Sequence, residues 1–337
     1  MPDTKLITIS LENPNLDIIA EAAEILRQGG LVAFPTETVY GLGADALNPE
    51  AVRKVFEAKG RPPDNPLIIH VADHRQLIDL VDEVPEKAQA LGKEFWPGPL
   101  TLVMKKTFLV PDIVCAGLDT VAVRMPDHPV ALALIEEFGG GLVGPSANLS
   151  GRPSPTTGAH VMEDLGGRID MILNAGPAEI GIESTVVDMT VDPPVILRPG
   201  GLHRESLEDI VGEMKVATDA DSLRRSPGTR HRHYAPRARV VLIPEKDSGA
   251  LTKLLQEYRQ QGKTAGCIVH SPELVRIESG GFFKVLPSPV DFFARYLFRT
   301  FRELDQEGAD VIIVESVEDR GLGTAVMDRL RRASEAS

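Results

Sequence analysis

Lys59-Gly60-Arg61-Pro62-Pro63-Asp64-Asn65-Pro66-Leu67-Ile68-Ile69-His70 sets the fold class of this chain. It leaves an amphipathic helical pattern over 49–58 and enters an apolar strand over 67–71, so helix gives way to strand through a rigid turn. Gly60, Pro62, Pro63 and Pro66 restrict the backbone and aim the side chains between them, which a solvated charge run does not need. Two cations, an amide and an imidazole at the mouth of a buried strand are suited to holding an anion. The stretch Gly144-Pro145-Ser146-Ala147-Asn148-Leu149-Ser150-Gly151-Arg152-Pro153-Ser154-Pro155-Thr156 has the same style. It follows another apolar strand and is dense in short hydrogen-bonding side chains. Two such loops point to one polar site made from both.

Working outward, short apolar runs over 31–34, 100–104, 121–123, 142–143, 171–173, 185–188 and 195–197 read as further strands. Helical patterns cover 16–28, stopped by Gly29-Gly30, and 49–58, with Asn48 as N-cap and Pro49 at the first position. Others cover 74–80, 86–95, 128–138 and 157–166. This is an α/β layer domain, and its consecutive strands from 171 to 197 predict mixed, partly antiparallel pairing. After Ile210 the pattern dissolves into a charged, irregular segment, 215–238. A fresh alternation follows, with strands over 239–243, 265–269, 282–286 and 311–315 and helices over 249–261, 290–306 and 323–333. The expected organisation is therefore a first domain over 1–214, a linker over 215–238, and a smaller Rossmann/flavodoxin-like α/β domain over 239–337.

The bulk properties agree. A chain of 337 residues with 42% hydrophobic and 25% charged residues has room for two ordinary globular domains. A formal net charge of −13 argues against a broad nucleic-acid surface but leaves room for a local basic pocket selective for small anions. Cys115 and Cys267 belong to no C-x-x-C pair, which excludes zinc ribbons and thioredoxin chemistry and predicts buried thiols in a reducing compartment. The first residues lack a basic stretch followed by a long apolar one, and no apolar run approaches twenty residues, so the expectation is a cytoplasmic protein without membrane contact.

Several tempting motifs fail. Gly139-Gly140-Gly141-Leu142-Val143-Gly144 fits G-x-G-x-x-G, but a strand follows where a dinucleotide site needs a helix. No P-loop and no G-x-S-x-G occurs. His70 ends a strand, so it cannot share a helix face with His74 as a zinc ligand, and His231 with His233 reads as an exposed linker pair. What remains is polar residues at strand ends. Pro35-Thr36-Glu37-Thr38-Val39-Tyr40-Gly41-Leu42-Gly43 alone reads as a well-capped turn from strand to helix. Thr120 and Arg124 lie on one side of a strand because their separation is even. An arginine there needs an anionic partner, and a structural ion pair and a ligand carboxylate answer that need equally well. Glu183-Ser184 and Leu197-Arg198-Pro199-Gly200 add a serine and another arginine. Lys59, Arg61, His70, Arg124 and Arg198 together point to a polyanionic ligand such as a nucleoside triphosphate.

These residues resemble the YrdC/Sua5 family of threonylcarbamoyl-AMP synthases over essentially the whole chain. The resemblance is carried by P-T-E-T-V-Y-G-L-G, by K-x-R (Lys59, Arg61) and S-x-N (Ser146, Asn148), and by E-S-T-V-V-D and L-R-P-G. The linker S-P-G-T-R-H-R-H-Y-A-P matches the longer Sua5 type, with Thr229 standing where an apolar residue is expected. The resemblance implies a YrdC-like twisted mixed-sheet domain with a concave pocket. It also implies the reaction of L-threonine, bicarbonate and ATP to threonylcarbamoyl-AMP and pyrophosphate. The product would pass to a tRNA threonylcarbamoyl transferase that forms N6-threonylcarbamoyladenosine at position 37 of tRNA. The substrate amine is the nucleophile, so no catalytic serine, cysteine or triad is required, and positioning can lower the barrier by about 7–11 kcal/mol. By the same resemblance Lys59, Arg61, Ser146 and Asn148 are catalytic. Threonine would be held by Thr36, His70, Arg124, Ser184 and the backbone near Gly144. ATP would meet Lys59, Arg61, Asn65, Thr120, Ser146, Asn148, Ser154 and Arg198, with Tyr234 of the linker folding over it as a lid. Mg²⁺ is expected on the phosphates, with no protein carboxylate standing out as its ligand. Two alternatives stay open: a non-enzymatic RNA-binding module, which the acidity and 5% aromatic content disfavour, and a carbamoyl transferase on the same scaffold.

Overall fold

The structure, a computed structural model, describes residues 3–218, 225–226, 234–275, 282–286 and 289–335. The expected linker falls partly outside the described residues, including Thr229, His231 and His233. Two compact units emerge, Met1–Ser150 with Ser154–Glu179 and Glu183–Arg230, and His231–Ser337 with Gly151–Pro153 and Ile180–Ile182.

The first unit contains strands β1 (Lys5–Thr8), β2 (Val32–Phe34), β3 (Gly41–Asp45), β4 (Ile68–His70), β5 (Leu100–Lys105) and β6 (Thr120–Arg124). It continues with β7 (Leu142–Val143), β8 (Met171–Asn174), β9 (Thr185–Asp188), β10 (Val195–Arg198) and β11 (Lys215–Val216). They form one mixed sheet in the order β1-β8-β2-β3-β7-β4-β6-β5-β9-β10-β11. The helices are α1 (Leu16–Arg27), α2 (Pro49–Lys59), α3 (Glu86–Phe95), α4 (Asp112–Cys115), α5 (Pro129–Phe138), α6 (Gly158–Leu165) and α7 (Arg204–Val211). The helix expected over 74–80 is a 3₁₀ segment, His74–Asp79, because the chain leaves it at Val81 to pair with Lys106.

Side-chain alternation sorts the sheet into two faces. Ala33, Ile69, Val123, Val143 and Ile172 join α2, α3 and α7 in the larger core. Val32, Phe34, Leu142, Met171 and Leu173 face the other way, packed by α1 (Ile19, Ala22, Leu26) and α5 (Val130, Leu134). On this second face the apolar packing thins toward β4, β6, β5, β9 and β10, where Ile68, Val103, Ala122, Val186 and Leu197 form a small cluster with no helix residue in it. The polar residues expected in the site continue that face.

Segment 35–43 is not a turn into a helix. Gly41–Asp45 forms β3 and pairs antiparallel with β2. The reason is tertiary: a β-carbon on Gly41 would lie 3.1 Å from the Phe34 ring, and one on Gly43 would lie 2.9 Å from the Val32 carbonyl oxygen. Glycines that read as turn residues are here what lets a phenylalanine lie flat over a neighbouring strand. β1 and β11 are also absent from the sequence reading, since each pairs with a single neighbouring strand.

The second unit has parallel strands β12 (Arg239–Ile243), β13 (Ala265–Val269), β14 (Phe282–Val285) and β15 (Val311–Glu315) in the order β12-β15-β13-β14. Helices α8 (Ser248–Gln260), α9 (Pro272–Val275), α10 (Val290–Gln306) and α11 (Leu322–Glu335) connect and cover them. The last strand thus inserts between the first two. The fully buried Glu315 carboxylate ties three strand ends together, accepting from the N–H groups of Lys246 (3.0 Å), His270 (2.7 Å) and Ser271 (2.9 Å). Both cysteines are buried and unpaired, and burial pushes each thiol up to about 12, as the sequence led us to expect of structural thiols.

α2 carries Lys59 as its last residue, so its N-cap bears on the site. The Asn48 side chain accepts from the N–H groups of Glu50 (3.0 Å) and Ala51 (3.3 Å). Asn48→Ala should lower unfolding free energy by about 1 kcal/mol in urea titration, while Asn48→Asp should keep most of it.

Candidate active site

Strand register builds the site. Leu142 of β7 lies beside His70 at the end of β4, His70 beside Arg124 at the end of β6, and Arg124 beside Thr101 of β5. These four share one face, so the apolar row under α5 becomes a polar row within one strand spacing. Ser184 immediately precedes β9, and its hydroxyl shares a 2.7 Å hydrogen bond with Thr101. Arg198, ending β10, donates to the Ser184 carbonyl (3.0 Å) and hydroxyl (3.2 Å). Thr36 and Thr38 follow β2; their hydroxyls are 2.8 Å apart, and Arg124 donates to Thr38 Oγ1 at 2.9 Å. The structure therefore brings Thr36, His70, Arg124, Ser184 and Arg198 into one connected group.

Gly144 follows β7, and a β-carbon there would sit 2.5 Å from His70 Nδ1. Backbone at this position approaches the imidazole as no other residue could. Phe34 meets the same ring edge-on at 5.7 Å. His70 is 2% exposed, and burial, then the neighbouring Arg124 charge, holds its pKa well below the ordinary value. The imidazole is neutral at pH 7, with Nδ1 buried and without a hydrogen-bond partner.

A second group centres on Lys59. Its ammonium donates to the carbonyls of Ser146 and Asn148 (2.7 Å for Asn148) and lies 3.4 Å from Asn148 Oδ1. The Ser146 hydroxyl donates to that same Oδ1 at 2.6 Å. Lys59 thus fastens the S-x-N loop to the end of α2, and burial, then the Arg61 charge, holds its pKa well below the usual lysine value. Arg61 donates to the carbonyls of Asn65 (3.3 Å) and Pro66 (2.9 Å), closing the proline-rich turn. Thr120 starts β6, four residues and about 13 Å before Arg124. Ser154 donates to Glu183 Oε1. Tyr234 belongs to the second unit, where its ring stacks on Phe298 at 5.6 Å beneath the Arg329 guanidinium.

The sequence reading passed over Glu37, Thr38, Thr101 and Glu183. Glu37 is 5% exposed and its Oε2 lies 2.6 Å from Arg124 NH2. Three of these four stand inside quoted motifs, and Arg124's need for an anion signalled a partner without saying which residue supplies it.

By fold and site this is an α/β protein whose buried charged and polar side chains gather at the ends of its strands. Residues 24–200 match the Sua5–YciO–YrdC family model, described as telomere recombination, and residues 202–335 match that of the threonylcarbamoyl-AMP synthase C-terminal domain. The chain is 49% identical over 321 residues to threonylcarbamoyl-AMP synthase of Pyrococcus abyssi, covering 93% of each, and 47% identical over 323 residues to that of Bacillus subtilis, covering 94% of this chain and 92% of the relative. The structure of P. abyssi Sua5 complexed with L-threonine superimposes with a TM-score of 0.93 at 47% identity, covering 99% of this chain and 98% of that one. The chain belongs to the Sua5/YrdC family.

Burial gives the site a pH signature. His128, next to Asp127 after β6, is lowered to about 4 by burial, partly offset by Glu37. For both His70 and His128 the unfolded chain binds a proton near pH 6.5 that the folded chain refuses. Their contribution to stability is therefore complete above pH 6.5 and declines as pH falls, down to about pH 4 for His128. Each adds a slope of at most about 1.4 kcal/mol per pH unit. Urea unfolding between pH 7 and 5.5 should show a shallower decline in His70→Asn and in His128→Asn than in the wild type.

Proposed function

We propose that this chain is a threonylcarbamoyl-AMP synthase, joining L-threonine, bicarbonate and ATP into threonylcarbamoyl-AMP with release of pyrophosphate. One observation carries the reading. Arg124 NH2, both Glu37 carboxylate oxygens and His70 Nδ1 are buried, lack hydrogen-bond partners, and belong to residues that meet at Arg124. Buried polar atoms left without hydrogen bonds are costly, and a set of them in one place, two of them joined only by a 2.6 Å ion contact, is the imprint of a polar ligand. A hydroxyl amino acid supplies what is missing, a carboxylate for Arg124 and a hydroxyl for the neutral His70. The threonine complex of the P. abyssi relative supports the same ligand.

The threonine amine attacks bicarbonate or the CO₂ it releases, and the carbamate oxygen then attacks the α-phosphate of ATP. Lys59, Arg61, Asn65, Thr120, Ser146, Asn148, Ser154 and Arg198 position the nucleotide. Mg²⁺ enters on the phosphates as the MgATP complex. The mixed anhydride is labile in water, so it passes to a tRNA-modifying transferase in the cytoplasm. Among the described residues no helix is long and apolar enough to cross a membrane.

Pyrophosphate release by the full chain with MgATP should require both L-threonine and bicarbonate. Release indifferent to threonine, or none from folded protein, would remove the synthase reading. Arg61→Ala and Arg198→Ala should each lower threonine-dependent release about 100-fold or more while circular dichroism stays unchanged.

A further inference from the structure

The Arg124–Glu37 pair is incomplete as a structural ion pair. Arg124 is otherwise well anchored, with Nε donating to the Gly98 carbonyl (3.2 Å) and NH1 to Thr38 (2.9 Å). Only NH2 touches Glu37, at 2.6 Å, and the contact lacks hydrogen-bond alignment, so neither carboxylate oxygen accepts a hydrogen bond. A buried carboxylate ordinarily draws several donors; Glu315 in the second unit draws three backbone N–H groups. Glu37 has none. The donors it lacks cannot come from an anionic ligand, because a carboxylate or phosphate brings only acceptors. An ammonium brings three N–H donors. An α-amino acid zwitterion placed against this pair puts its carboxylate on Arg124 and its ammonium on Glu37, completing an alternating set of four charges. Bare carboxylates and bare amines each leave one member unanswered.

We propose that Glu37 receives the ammonium group of the bound amino-acid substrate and accepts one of its protons as the nitrogen attacks. The assignment rests on the synthase reading. An ammonium has no lone pair, so it must lose a proton before it can form the nitrogen–carbon bond. Threonine ammonium, bicarbonate and the Glu37 carboxylate give threonine carbamate, water and the protonated Glu37 carboxyl. One amine proton goes to Glu37; the second leaves with the bicarbonate hydroxyl as water. No oxidant or further reactant is needed, and Glu37 returns its proton to solvent between turnovers. His70 is the other titratable side chain in this row, and its burial beside Arg124 makes it a poor proton acceptor. The remaining charged groups around Glu37 are Asp127, His128 and Glu179. Asp127 is raised by burial, then by Glu37 and Glu179, while the Glu179 N–H donates to the Glu37 backbone carbonyl at 3.1 Å. Arg124 is thus the cation these neighbours place against Glu37.

The test compares two directions of the reaction in the full chain. Forward synthesis, read as pyrophosphate release with threonine and bicarbonate, needs the amine deprotonated. The reverse reaction, ATP formation from threonylcarbamoyl-AMP and pyrophosphate, begins beyond that step. Glu37→Gln should lose about 100-fold or more of the forward kcat, regain part of it as pH rises and free threonine amine accumulates, and keep reverse ATP formation within a few-fold. Thr38→Val, which removes an anchor of Arg124, should raise the threonine KM and leave the pH profile unmoved. If Glu37→Gln does not fold by circular dichroism, Glu37→Asp takes its place, with the acid limb of the forward profile displaced. Equal loss in both directions without recovery at high pH assigns Glu37 only to holding Arg124 and overturns the proposal, as does forward activity within a few-fold of wild type. A wild-type enzyme that releases no threonine-dependent pyrophosphate instead sinks the synthase reading beneath it.

Discussion

Arg124 ends an apolar strand with its guanidinium 4% exposed, and a charge in that position obliges everything near it. Removing a charge from water without partners costs several kcal/mol, so the chain surrounds it with the Gly98 carbonyl, the Thr38 hydroxyl and the Glu37 carboxylate. These partners come from two segments far from Arg124 in sequence, one following β2 and one preceding β5, so the sheet order that gathers them around the end of β6 is a condition for keeping the arginine buried. The same arginine depresses His70 beside it. Charge, register and protonation state are therefore one problem with one solution.

The loops solve a second problem, that of holding backbone close to side chains without flexibility. Lys59 spends its ammonium on the 146–148 loop, and Arg61 spends its guanidinium on the carbonyls of its own turn. Both read from sequence as cations awaiting an anion, yet each also shapes the loop that bears it. The nucleotide of the proposed function would meet groups already fixed in place, which limits the ordering cost of binding. Gly144 belongs to the same economy of space, since its missing β-carbon leaves room for the His70 ring.

The second unit answers its buried charges differently. Glu315 is saturated by backbone N–H groups and joins strand ends rigidly, whereas Glu37 in the first unit accepts nothing. That contrast separates a structural carboxylate from one left open for chemistry. Tyr234 is likewise embedded, between Phe298 and Arg329. The aromatic that opens the second unit is thus held by that unit's own helices α10 and α11.

The sequence alone determined the alternation of strands and helices, because a period of two and a period of 3.6 leave marks within a single segment. It also marked K-x-R, S-x-N and Arg124, because polar residues at the ends of apolar runs stand out locally. It could not mark β3, whose glycines look like a turn until the Phe34 ring lies over them. Nor could it select Glu37 from the P-T-E-T run, where it looks like any turn carboxylate. Both depend on contacts with distant or differently placed neighbours, Phe34 on Gly41 and Gly43 across a strand pair, and Arg124 on Glu37 across 87 positions of chain. Local pattern records which way a side chain faces; only the tertiary structure decides what it faces, because burial and pairing are set by segments that meet after the chain has folded.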